Sequence, residues 1–247
     1  ADCGVNVGAD GVVLSVGAAG GLNVLFHPLL DPGSEVVIFA PYFPEYLFYV
    51  TNHSGKTRVL STSEEFLLDP DALGEVLGPQ TRAVVICSPN NPTGRLYPAS
   101  NLSDVVEVMQ AKAPDALLVA DEPYRRIAFD GLDVPCILNH TNRSVVVSSH
   151  SKDIGLPGER IGFILVHPDL PDRDQLMNAM IFSNRTLGFV NAPALIQRAV
   201  AAVQDATVDV ADYQRKRDRL WKALTDAGYE CVRPEGAFYM FPRSPED

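Results

Sequence analysis

Short runs with unbroken apolar centres constrain this chain more than any other feature. The runs over 35–40, 82–88, 116–121, 144–149 and 161–166 are short for helices and lack the alternation of a sheet with one wet face. Strands of that kind need cover on both faces. Stretches with helical spacing lie between them, over 18–30, 42–52, 69–77 and 102–111, with Asp69 as a candidate N-cap. A strand over 11–16 comes first, and a short one is expected over 57–60. The pattern predicts an α/β fold with a mostly parallel sheet flanked by helices. Ligands in such sheets bind beyond the carboxyl ends of the strands. Gly17, Asn91, Asp121 and the stretch from Ser149 to Lys152 all fall at those ends.

A long amphipathic helix is expected over 208–227, stopped by Gly228 in the C′ position. Strands over 230–232 and 237–241 would then open a second, smaller α+β domain. The division expected is a large cofactor-binding domain over 1–205, and a connecting helix with the start of a small domain over 206–247. The absence of an initial Met and the stop at Ser244-Pro245-Glu246-Asp247 lead to the expectation of a longer parent protein, with part of the large domain upstream.

The chain has 247 residues and a formal charge of −11, which argues against nucleic acid and against anionic membrane surfaces as partners. It contains no run of about 18 apolar residues that could span a bilayer, and no basic start leading into an apolar stretch. Cys3, Cys87, Cys136 and Cys231 are far apart, without CxxC spacing. They read as buried free thiols in a reducing cytoplasm. His27, His53, His140 and His167 read as unclustered, so no metal is expected.

The segment from Ser149 through Lys152 and Arg160 to Gly162 carries the strongest chemistry. A lysine just past a buried strand is an odd place for a solvated charge. Ser149 and Ser151 precede it, a Gly/Pro-rich turn follows, and Arg160 lies eight residues on. An aldehyde cofactor with a phosphate needs such parts: an amine to condense with, and hydroxyl and guanidinium groups to hold the dianion. Upstream, Gly17-Ala18-Ala19-Gly20-Gly21 sits between a strand and a helix, where backbone N–H groups and the helix dipole favour an anion.

This segment resembles the cofactor-lysine segment of fold-type-I pyridoxal-phosphate enzymes, in the class I/II aminotransferase family. The resemblance continues in order through nearly the whole chain and implies the family's seven-stranded large domain. It makes Lys152 the Schiff-base lysine for pyridoxal 5′-phosphate. Ser88-Pro89-Asn90-Asn91-Pro92-Thr93-Gly94 resembles the family's Asn-Pro-Thr-Gly segment, with Asn91 on the cofactor's phenolic oxygen. Asp121-Glu122-Pro123-Tyr124 resembles its Asp-x-x-Tyr: Asp121 would keep the pyridine nitrogen protonated and Tyr124 would share the phenolic oxygen. Gly17 and the amides of Ala18 and Ala19, with Ser149, Ser151 and Arg160, would cup the phosphate. Phe43 would stack on the ring, or Tyr42 if the register is one residue off. Arg185 is left between a reach across a dimer to the substrate side chain and a surface salt bridge.

The resemblance implies a homodimeric aminotransferase acting on an L-amino acid and a 2-oxo acid. Other reactions on the same scaffold (a β-lyase, a decarboxylase, an oxygenating enzyme) stay open, as does a non-catalytic regulatory domain. The family's partner-facing tyrosine and its α-carboxylate arginine have no counterpart here, and Arg243 lies too close to the Gly236–Tyr239 stretch to be the latter.

Overall fold

The computed structural model describes residues 3–245, so Glu246 and Asp247 of the expected small domain, and Ala1 and Asp2, lie outside the described residues. It gathers the apolar runs into one seven-stranded sheet of β1 (Val12–Ser15), β2 (Glu35–Ala40), β3 (Lys56–Ser61), β4 (Thr81–Cys87), β5 (Leu117–Asp121), β6 (Ser144–Ser149) and β7 (Gly162–Val166). The spatial order is β1-β7-β6-β5-β4-β2-β3. Strands β2 to β6 are parallel, and β7 runs antiparallel to both β1 and β6.

The unbroken apolar sequences follow from a two-sided core. Val36, Ile38, Ala83, Val85, Leu117, Val119, Val145 and Val147 enter one buried layer, where they meet α1 (Gly17–Leu29), α2 (Glu45–Asn52) and α6 (Arg173–Thr186). Their neighbours Val37, Phe39, Val84, Ile86, Leu118, Ala120 and Val146 enter the opposite layer against α3 (Pro70–Val76) and α4 (Ala99–Lys112). Successive side chains of a strand point to opposite faces, so only an all-apolar strand can feed two cores at once. Edge strand β3 has one strand neighbour and a largely exposed sequence, Lys56 to Ser61.

Helix ends explain several boundaries. Asp69 accepts the Ala72 N–H and caps α3, as expected. The helix expected over 42–52 starts only at Glu45, because Pro41 and Pro44 hold the preceding chain out of a hydrogen-bonded turn. The long helix is α8 (Val210–Asp226), capped by Asp209 and followed by Gly228 at φ +88°. A short helix α5 (His150–Asp153), α6 and α7 (Ala194–Ala201) were not foreseen.

Three expectations need correction. The segments 230–232 and 237–241 do not form strands: the pairing there is reduced to isolated bridges, Cys231 with Pro242 and Ala128 with Gly236. A ladder that short holds too few hydrogen bonds to propagate. Cys3 and Cys136 are joined in a disulfide, Cα to Cα 5.5 Å across 133 residues of sequence. The fold lays the N-terminal segment over the second layer, and no local spacing records that meeting. Of the four thiols only Cys87 and Cys231 are free. His27 and His53 are neighbours, their rings edge to edge at 5.4 Å, bonded to Ser183 and Asn23. Among the described residues no three metal-ligating side chains converge, and no helix is long and apolar enough to cross a membrane.

Candidate active site

The carboxyl end of the sheet opens into a cavity of about 200 Å³. Its electropositive end is built at the β1–α1 turn. Residue Val16 at the N-cap of α1 places no side chain on the first-turn N–H groups, and that turn carries no acidic residue. The amides of Gly17, Ala18 and Ala19 are therefore left for an anion. The turn needs Gly17 for its φ of +76°, and a Cβ there would also lie 2.7 Å from the Arg160 guanidinium and push it aside. Arg160 is held over the helix start by its own bonds, donating to the Pro157 carbonyl at 2.8 Å and the Val16 carbonyl at 3.4 Å. Arg160 itself sits at φ +51°, a conformation that costs a non-glycine residue roughly 1 kcal/mol or more. Ser149 ends β6, and α5 brings Ser151 and Lys152 to the same cavity.

The opposite end is set by Asp121, the last residue of β5, only 5% exposed. Tyr46 of α2 donates to its Oδ2 at 2.7 Å, while Oδ1 is buried without a partner. Burial pushes the Asp121 carboxyl up to about 6, and the Tyr46 hydrogen bond pulls against that shift. A buried carboxylate oxygen left unpaired beside a cavity is a costly arrangement unless a donor arrives from the cavity. Tyr46 carries a role that the sequence reading missed. Its signal was indirect: a carboxylate at the end of a fully apolar strand requires a buried donor, and α2 supplies one at its first turn.

Between the two ends the cavity is walled by Phe43, Asn91, Tyr124 and Tyr239. Tyr42 and Phe43 both pack against the core, and of the two Phe43 lines the cavity. The Asn91 turn is shaped by its neighbour Asn90, whose side chain accepts from the Thr93 N–H and hydroxyl and donates to Tyr97. The Tyr124 hydroxyl meets that of Tyr239 at 2.7 Å, and burial pushes the Tyr124 phenol well up. The Lys152 ammonium lies 5.4 Å from the ring centre of Phe238. Tyr239, Phe238 and Cys87 were not foreseen at this place. His150 faces away, its ring bonded to Asp153 at 3.0 Å in a buried pair that braces the Lys152 turn from behind. Arg185 is exposed in the last turn of α6 and does not line the cavity.

A cradle of free amides with a guanidinium, an orphaned carboxylate oxygen, and an amine flanked by amide and phenol groups form a matched set. They suit a flat ligand with an anionic group on one side, a basic ring nitrogen on the other and a carbonyl between. Pyridoxal 5′-phosphate has those three features.

Residues 3–247 match the family model described as aminotransferase class I and II. A probable aspartate aminotransferase of Methanocaldococcus jannaschii is 27% identical over 248 residues, covering 98% of this chain and 64% of that protein. The aspartate aminotransferase of Geobacillus stearothermophilus is 30% identical over 257 residues, covering 99% of this chain and 63% of that protein. The crystal structure of an aminotransferase from Eubacterium rectale superposes with a TM-score of 0.96 at 37% identity, covering 99% of this chain and 63% of that one. The chain thus spans a little under two thirds of the length of these relatives.

Proposed function

Because the chain belongs to the class I and II aminotransferase family, we propose that it is the cofactor-binding core of a pyridoxal-phosphate-dependent transaminase, which moves an amino group from an L-amino acid to a 2-oxo acid. One observation carries the reading: the Lys152 amine and the partnerless Oδ1 of Asp121 border a single cavity whose far wall is an open helix N-terminus.

When bound, the cofactor supplies a conjugated ring that takes up the electron pair released at the substrate Cα. Everything else falls to the chain. Lys152 would hold the cofactor through Nζ, and the same amine, when free in the cavity, would be the base that takes the Cα proton and returns it. Asp121, supported by Tyr46, would keep a proton on the ring nitrogen. Asn91 and Tyr124 would hold the phenolic oxygen. The amides of Gly17, Ala18 and Ala19, with Ser149, Ser151 and Arg160, would fix the phosphate and so the ring's orientation. Phe43 would cover the ring and keep water from it.

The same reading makes the enzyme a homodimer. Ile181 and Phe182 on α6, with Val190 and Leu195 beyond it, are large apolar side chains left exposed, Phe182 by 65% and Leu195 by 76%. Large apolar side chains so exposed and so near one another in sequence are candidates for cover by a partner surface. In a dimer through this face, Arg185 would point toward the neighbouring active site.

The reading is tested by mixing the complete protein, loaded with pyridoxal phosphate, with aspartate and 2-oxoglutarate, since relatives are named as aspartate aminotransferases. The expected result is transfer of the amino group in stoichiometric amount in a single turnover. Bound cofactor with release of ammonia or carbon dioxide instead would contradict it.

A further inference from the structure

The segment that follows α8 returns to the sheet and docks on the Asn91 turn. The Glu235 and Gly236 N–H groups both donate to the Gly94 carbonyl, at 2.9 and 3.0 Å. The Glu235 carboxylate accepts from Arg95 at 3.0 Å and from the Leu96 N–H at 3.0 Å. The Ala237 N–H donates to the Ile127 carbonyl at 2.8 Å, and Ala237 is fully buried. These anchors fix the two residues that follow. Phe238 and Tyr239 pack edge-on against Tyr124, with ring centres 5.3 and 5.5 Å away. The result is the 2.7 Å contact between the Tyr239 and Tyr124 hydroxyls, at the wall of the cavity.

A hydroxyl has one hydrogen to donate. In this pair one phenol must donate and the other accept, and the choice decides what Tyr124 can offer to the cavity. Tyr239 is the half-buried member at the cavity rim, and Tyr124 the buried one. Resting on the cofactor reading above, we propose that Tyr239 is a positioning residue: it donates to the Tyr124 oxygen, so that the Tyr124 hydrogen is turned toward the cofactor's phenolic oxygen. Chained hydroxyls strengthen one another, so Tyr124 becomes a better donor than it would be alone. A donor on the phenolic oxygen favours the state in which that oxygen is fully anionic and the lysine linkage carries no proton. It therefore holds down the pH at which the bound cofactor changes colour. The other groups facing Tyr124 are Asp121 and Cys87 on the sheet, with Lys152 and Arg160 across the cavity. None of them is removed by a change at Tyr239.

The test is a pH titration of the near-visible absorbance of cofactor bound to the complete protein, in the unaltered chain, Tyr239→Phe, Tyr124→Phe and the double variant. Tyr239→Phe keeps the ring packing and removes only the hydroxyl, and the melting temperature checks the fold. The expected midpoint rises by about 0.5 unit in Tyr239→Phe, roughly a threefold change in proton affinity. It rises further in Tyr124→Phe, and the double variant matches Tyr124→Phe. An unmoved midpoint, or shifts that add in the double variant, would overturn the proposal while leaving the cofactor reading intact. Absence of the absorbance from the unaltered protein would overturn both.

Discussion

Asp121 is buried with one oxygen satisfied by Tyr46 and one facing the cavity, so the cofactor-free chain bears the cost of its charge. The sign follows from its carboxyl being raised from the ordinary 3.8 to about 6. The folded state then binds a proton more readily than the unfolded state between those values, and stability falls as pH rises through that window. Above it the full cost is present, at most about 3 kcal/mol for a shift of roughly two units. Asp121→Asn should therefore melt several degrees higher than the parent at pH 7.5 without cofactor, and no higher at pH 4. With cofactor it should lose turnover by more than about tenfold, about 1.4 kcal/mol, and lose much less cofactor affinity. A variant less stable than the parent at pH 7.5 would show that Asp121 is a structural residue. Tyr46→Phe removes the donor that opposes the shift, so the acid limb of the activity profile should move to higher pH. Asp121 was legible in the sequence because a carboxylate ends an apolar strand. Tyr46 and Tyr239 were not, since each acts through a contact between residues 75 and 115 positions apart.

The elements explain what the residues cannot do alone. The proposed phosphate cup joins the β1–α1 turn to the start of β7, and the two backbones touch. A Cβ on Gly162 would lie 2.6 Å from the Gly17 carbonyl carbon and 2.6 Å from the Ser148 carbonyl oxygen. Backbone cannot yield as a side-chain tip can, so Gly162→Ala should cost about 1–3 kcal/mol of stability. It should also displace Arg160 from Gly17. Affinity for pyridoxal phosphate should drop by a larger factor than affinity for pyridoxal, which lacks the phosphate; equal losses would place the damage outside the cup. Sequence periodicity found the sheet because two buried layers force continuous apolar strands. It missed α6 and α7, whose faces are mixed: α6 buries Met177, Met180, Ser183 and Asn184 yet exposes Phe182. It overstated the last strands, because an apolar run there packs on Tyr124 and the sheet end instead of forming a ladder.

On the scale of the whole molecule, the exposed apolar side chains of α6 and α7 and the outward Arg185 are where the proposed dimer would form. Sedimentation of the complete protein should give a dimer, and Phe182→Asp should shift it toward monomer. Mixed dimers of Lys152→Ala and Arg185→Ala chains should recover activity if Arg185 acts in trans. A dimer without recovery would remove only that role, and an active monomer would sink the interface. Nothing in the sequence marked this patch, because α6 and α7 were not expected as helices. The fold also selects one amine out of five. Lys56, Lys112, Lys216 and Lys222 are spread over the surface, while Lys152 borders the cavity that also holds Asp121 and Arg160. Borohydride reduction of the cofactor-loaded protein, followed by peptide mass spectrometry, reads that choice directly. A single adduct of cofactor mass on Lys152 is expected; an adduct on any of the other four lysines, with Lys152 unmodified, would overturn the assignment.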